Sequence, residues 1–262
     1  MRSLVGVLHL PPLPGSPRSS EPVAALARAV ARDARALAAA GFDLAVVENF
    51  GDVPFFKGHV PPVTIAGITA CALAVRDACP DLALGINVLR NDGLAAVAIA
   101  VAVAAECVRI NVLSGARVTD QGLVEGQAAE VLRLRRELGR PDLQIWADVA
   151  VKHSAPLAAR DLADETRDLV QRSLADAVLV TGSGTGEAVD PEHLRRVRAA
   201  AGGVPLYVAS GATEAALPVL AGLSDGIIVG SALRADGRAG GPVDPERARR
   251  FAAAYRAAQA RA

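Results

Sequence analysis

The sequence predicts an α/β fold of one particular kind, a (β/α)8 TIM barrel: a closed parallel eight-stranded barrel with outer helices. Three observations predict it. Short apolar runs alternate with amphipathic helical stretches from end to end, giving about eight strand–helix units with no break in composition. That order implies a parallel sheet, and eight units favour closure over an open sheet. The 262 residues match the roughly 250 typical of one such barrel, so residues 1–262 are read as one barrel domain. Hydrophobic residues make up 52% of the chain but aromatics only 3%. The core must therefore be built from Ala, Val, Leu and Ile, which suits strands covered on both faces. An open doubly wound sheet is the rival, and it lacks a Gly-x-Gly-x-x-Gly turn after the first strand.

The candidate strands are Leu4–Leu8, Asp43–Glu48, Ala83–Val88, Cys107–Val112, Gln144–Val149, Ala177–Val180, Leu206–Ala209 and Gly226–Val229. None alternates cleanly between polar and apolar, as expected of buried parallel strands. Between them the first helix sets Val23, Leu26, Ala27, Val30, Ala34 and Leu37 on one stripe and stops at Gly41. The fourth helix is expected from about Gln121 to Leu138, with Arg133, Arg135, Arg136 and Glu137 near its end before Gly139. Asp190 and Asp244 each precede a proline and read as N-caps.

Composition excludes several function classes. Lys+Arg and Asp+Glu balance at 28 each, which removes the electrostatic case for nucleic acid or an anionic membrane. The longest apolar run, Leu94–Ala105, falls short of the roughly 18 residues that a membrane span needs. The apolar start is interrupted by His9 and Pro11, too short for a signal segment. The expectation is a cytoplasmic protein without membrane insertion, and, by analogy with other barrels, a homo-oligomer. Cys71, Cys79 and Cys107 have no metal-ligand spacing. The first two stand about 12 Å apart along one expected helix, so all three read as buried free thiols.

In such a barrel the C-terminal ends of the strands line the ligand site. Those ends carry His9, Glu48 with Asn49, Asn87 followed by Arg90, Asn91 and Asp92, Arg109 with Asn111, and Asp148 followed by Lys152 and His153. The last three units end instead in Thr181-Gly182-Ser183-Gly184-Thr185-Gly186, Ser210-Gly211-Ala212-Thr213 and Gly230-Ser231. Small residues let backbone N–H groups approach an oxyanion, and the loops after strands seven and eight are the common phosphate cradle of this fold. Ser210, Gly211, Gly230 and Ser231 are thus the candidate phosphate binders. Gly182 and Gly184 either extend the cradle or hinge a lid.

For chemistry, Glu48 and Asp148 are candidates for acid/base work, or with nearby Asn residues for holding a divalent cation. Lys152 is a candidate Schiff-base or polarising amine, and His9 and His153 are candidate proton carriers. Arg90, Arg109 and Lys152 are the cations available to pair with the carboxylates. Each has a plain alternative as a solvated or hydrogen-bonded rim residue. No cofactor motif is present, and neither a nucleophile elbow nor a P-loop occurs.

The segments Val5–Pro17, Val47–Phe55 and Gly85–Asp92, together with Arg109–Val112, Thr119–Gly122, Val151–His153 and Val229–Ser231, resemble the BtpA family over nearly the whole chain. The resemblance implies a phosphate-binding TIM barrel. Cyanobacterial members are implicated in accumulating photosystem I, whereas SgcQ-like members look like enzymes of sugar or nucleoside metabolism. One departure stands out: Ala209-Ser210-Gly211-Ala212-Thr213 replaces a Gly-Ser-Gly-Val-Thr-like turn, though its Ser-Gly core remains. The leading expectation is an enzyme acting on a phosphosugar or a nucleoside- or ribose-phosphate-like compound by isomerase, epimerase or lyase/aldolase-type chemistry. The alternative is a non-catalytic biogenesis factor for a membrane complex; a nucleoside hydrolase ranks third.

Overall fold

The expected barrel closes. The structure, a computed structural model, describes residues 3–182 and 189–261. Strands β1 (Ser3–His9), β2 (Leu44–Glu48), β3 (Ala83–Asn87), β4 (Cys107–Ile110), β7 (Gln144–Val149), β9 (Ala177–Val180), β10 (Leu206–Val208) and β11 (Gly226–Val229) pair in parallel. β11 returns to β1, and the ring is complete. Around it pack α1 (Val23–Ala40), α2 (Pro62–Ala78), α3 (Gly93–Ala102), α4 (Ala128–Glu137), α5 (Leu162–Gln171), α6 (Pro191–Ala200), α7 (Leu217–Leu223) and α8 (Pro245–Gln259). No helix among the described residues is long and apolar enough to cross a membrane.

Strand side chains alternate faces, so each strand feeds two cores. Val5, Val7, Leu44, Val46, Cys107, Trp146, Leu179, Tyr207 and Ile228 fill the barrel interior. The intervening residues, among them Leu4, Leu8, Ala45, Val47, Ile86 and Val108, join the helices in a second, larger layer. The few aromatics are used where volume is needed: Trp146 stacks on Tyr207 with ring centroids 4.5 Å apart near the barrel floor. Small residues make room for them. A Cβ at Gly226 would lie 2.4 Å from the Tyr207 ring. Cys71, Cys79 and Cys107 are free and buried, and burial pushes the Cys71 thiol up to about 12.

A fourfold device closes the N-terminal rim. Asp43, Glu106, Asp176 and Asp225, each just before a strand, accept the main-chain N–H of Leu4, Leu84, Ile145 and Leu206 on the strand before it, at 2.6–2.8 Å. Arginines from alternate helices hold three of these acids: Arg76, Arg135 and Arg198 pair with Glu106, Asp176 and Asp225. The fourth, Arg256, donates to the carbonyls of Ala40 and Gly41 where α1 ends, Gly41 itself being left-handed at φ 80°. Asp190 and Asp244 cap α6 and α8 through the N–H groups of Glu192 and Glu246, as their position before proline predicts.

One expected element is different. The stretch read as the start of a long fourth helix forms a hairpin, β5 (Ala116–Thr119) and β6 (Gly122–Glu125), and α4 begins only at Ala128. β8 (Ser154–Pro156) adds to β5, so a three-stranded antiparallel sheet rises beside the ends of β4 and β7. The reason is local. Gly122 takes φ 94°, the Thr119 hydroxyl bonds the Gly122 carbonyl, and Val124 buries against Val112 and Val151. Pairing and burial outweigh a modest helix propensity.

Candidate active site

Alternation puts the last inward residue of each strand at the mouth. Below that level the interior is apolar; at it stand His9, Glu48, Asn87 and Arg109. These four are direct register partners across β1, β2, β3 and β4. Residues separated by a hundred positions in the chain thus form one hydrogen-bonded tier.

Arg109 and Asp148 make its fixed part. Arg109 Nε and Nη2 donate to the two Asp148 carboxylate oxygens at 3.2 and 3.0 Å, and Asn111 Nδ2 donates to Oδ2 at 2.7 Å. The Asp148 side chain is wholly buried and that of Arg109 is 5% exposed. Burial alone would lower the Arg109 guanidinium, but the Asp148 and Glu48 charges outweigh it and hold the group above its ordinary value. Asn87 Nδ2 bonds the Arg109 carbonyl and Asn111 Oδ1 and braces the same corner.

Glu48 is held more loosely. Its nearest basic neighbours are His9 Nε2 at 3.8 Å and the charged Arg109 Nη1 at 4.0 Å. His9 accepts the Gly240 N–H at Nδ1, 3.2 Å away, which leaves the Nε2 nitrogen, facing Glu48, to carry its proton. Burial first, then the charges of Arg234, Lys152 and Arg109, drive its pKa well below the ordinary histidine value, so the ring is neutral. Phe50 packs on it at 4.4 Å between ring centroids.

Lys152 reaches the same crevice from the turn after β7. Ala150 and His153, on either side of it, adopt positive φ of 48° and 55°, a left-handed backbone that non-glycine residues seldom take. The Lys152 N–H is pinned to Thr181 Oγ1. Burial, and then the Arg109 charge, lowers its ammonium pKa, with Glu48 and Asp148 opposing and Arg90 adding to the fall. Among the described residues no carboxylate pairs with it within 4.0 Å.

The wall opposite is main chain. His9, Glu48, Arg109, Lys152, Ser210, Gly211, Gly230 and Ser231 line one narrow crevice of about 40 Å3. Gly211 takes φ 69°, and the N–H groups of Gly211 and Ser231 enter no hydrogen bond among the described residues. A Cβ at Gly230 would stand 3.0 Å from the His9 ring, a tight contact, so glycine lets ring and turn meet closely without either shifting. Asp148 and Asn111 form the back of a neighbouring cavity of about 190 Å3 beneath the hairpin.

Most of the described residues singled out from sequence converge here; two do not. His153 is exposed and borders a separate, open cavity with Phe55, Arg90, Asp120 and Gln121. Gly182 is buried beyond the end of β9, and Gly184 lies outside the described residues. Among the described residues no group of three or more His, Cys, Asp or Glu side chains forms a metal-binding set. Two contributors were not singled out from sequence. Phe50 is one; Arg234, 1% exposed, is the other. Arg234 donates to the carbonyls of Val7, Gly230 and Gly240, tying the cradle turn to β1 and to the residue that fixes His9. Burial brings its guanidinium down to about 10, so it stays charged. Its partners are all main-chain carbonyls, which no residue pattern announces.

Barrel and crevice together define a TIM barrel with a small polar site at the C-terminal ends of its strands. The chain belongs to the BtpA family, whose match extends over residues 1–257. It is 45% identical over 250 residues to an uncharacterized protein of Thermococcus kodakarensis, covering 95% of this chain and 94% of that one. It is 41% identical over 251 residues to the photosystem I biogenesis protein BtpA of Synechocystis, covering 95% and 86%. Among solved structures, phosphoribosyl anthranilate isomerase from Thermus thermophilus superposes with a TM-score of 0.59 at 14% identity, covering 98% and 99% of the two chains. At that identity the likeness speaks for the fold.

Proposed function

We propose that the chain is a cytoplasmic enzyme that binds a phosphorylated sugar or ribose-phosphate-like small molecule and moves a proton on it, as an isomerase, epimerase or lyase/aldolase would. One observation carries this reading: the main-chain N–H groups of Gly211 and Ser231, which have no partner among the described residues, meet a loosely held carboxylate and a desolvated lysine in one crevice at the mouth. The N–H groups of Gly211 and Ser231 would take the phosphate, with Ser210 and Gly230 shaping the turn. Arg109 and Lys152 add positive charge. A phosphorylated substrate in the superposing isomerase's name is in keeping with such a ligand.

Of the two carboxylates, Glu48 is the better placed to react. Asp148 already accepts three hydrogen bonds, and its role would be to hold Arg109 in place. Glu48 would take a proton from carbon next to a carbonyl, forming an enediolate and a neutral Glu48 acid. The Lys152 ammonium and the His9 Nε2–H would stabilise the new oxyanion, and the Glu48 proton would then return to carbon. His153, on the rim, would serve at most in substrate entry. The test is solvent deuterium exchange into a panel of sugar phosphates, followed by NMR. Wild type is expected to exchange a carbon-bound proton of one compound, and Glu48→Gln to lose at least about a hundredfold of that rate. Unchanged exchange in the Gln variant would remove Glu48 from the mechanism.

A second reading rests on the Synechocystis relative, named for photosystem I biogenesis. A barrel serving assembly would keep the crevice for ligand sensing and show no exchange with any compound of the panel.

A further inference from the structure

Two buried polar atoms at the end of β3 have no hydrogen-bond partner among the described residues: Asn87 Oδ1 and Arg90 Nε. Arg90 is 6% exposed, yet it forms no ion pair within 4.0 Å there; its Nη2 donates to the Lys152 carbonyl at 2.7 Å. A buried guanidinium without an anion is costly, because desolvation is not repaid by a counter-charge. The carboxylate that faces Arg90 from the hairpin tip, Asp120, is exposed and bonded to Gln121. Arg90 borders the open cavity with Phe55 and His153, so an incoming group can reach it.

Its place in the ring matters. The order β1-β11-β10-β9-β7-β4-β3-β2 puts β3 four places from β10, directly across the mouth from the Ser210-Gly211 turn. We propose that Arg90 is a second anion subsite, so that the ligand carries a carboxylate at the end away from its phosphate, with a hydroxyl between them donating to Asn87 Oδ1. The guanidinium presents a planar fork of donors, and a carboxylate is the small anion that matches it. The substrate class is then a linear phosphorylated sugar acid rather than a neutral sugar phosphate. This inference rests on the phosphate reading of the crevice.

Calorimetric titration with a matched pair of linear six-carbon probes tests it: 6-phosphogluconate, with a carboxylate, and glucitol 6-phosphate, with a hydroxymethyl group in its place. Inorganic phosphate is the third titrant. Wild type is expected to bind the acid about tenfold or more tighter than the alcohol. Arg90→Gln should erase that preference while leaving glucitol 6-phosphate within about threefold, and Arg90→Lys should keep part of it. Equal affinity of the two probes in wild type, a comparison that needs no variant, would overturn the proposal. So would a preference that survives in a folded Arg90→Gln protein. Binding of inorganic phosphate but of neither long probe would refute the two-ended ligand while leaving the phosphate reading intact. Failure of all three would refute both.

Discussion

At the scale of single residues, the site divides into groups that are fixed and groups that are free to react. Arg109 and Asp148 are fixed. Removing one partner of a buried ion pair leaves the other uncompensated, so Arg109→Leu is expected to cost about 3–5 kcal/mol in chemical denaturation. A loss below about 1 kcal/mol would show that Asp148 finds another partner. His9 gives a pH signature. Its folded pKa lies below the ordinary value of about 6.5, so on acidification the unfolded chain takes up a proton that the folded chain refuses. The stability it contributes is present above that value and is lost as pH falls from there toward the folded pKa. Wild type should therefore lose more stability than His9→Gln between pH 7 and 5.5. Equal slopes would mean that His9 protonates freely in the fold.

At the scale of elements, the N-terminal rim and the mouth do different work. At the rim, Asp225 accepts from Leu206 N–H and pairs with Arg198. Burial pulls its pKa up, but the hydrogen bonds from Arg198 and Leu206 and the Arg198 charge prevail and hold it below the ordinary carboxylate value. Its contribution is thus present at neutral pH and fades as acid protonates it. Asp225→Asn should lower the melting temperature at pH 7 and flatten its fall below pH 4; a variant as stable as wild type at pH 7 would deny the rim acids a role. The same contrast explains what the sequence could disclose. His9 and Glu48 each end a strand's apolar run and Asp148 interrupts one a single residue before its strand ends, so their position at the mouth follows from strand parity. The hairpin of β5 and β6 stayed hidden because its short strands run straight into the amphipathic pattern of α4, and its pairing partner β8 is some thirty residues away. Arg234 stayed hidden because what it binds is main chain. The unequal hold on Glu48 and Asp148 depends on a few ångströms of side-chain placement that no spacing encodes.

At the scale of the whole molecule, the fold converts eight similar units into one asymmetric cup. Strands β1 to β7 bring the charged and amide side chains, and β10 and β11 bring small residues and open main chain; the crevice exists only because the ring closes β11 onto β1. Phosphate binding by that crevice is the central claim, and a thermal-shift titration with inorganic phosphate and a panel of sugar phosphates tests it most directly. A ligand at about 100 times its Kd adds roughly 2.7 kcal/mol, which raises the melting temperature of a chain this size by several degrees. The account predicts such a shift for phosphate compounds and its loss in Gly230→Asp, where a side chain would meet His9 and place a negative charge in the cradle. No shift with any phosphate compound, or an undiminished shift in the folded Asp variant, would contradict it.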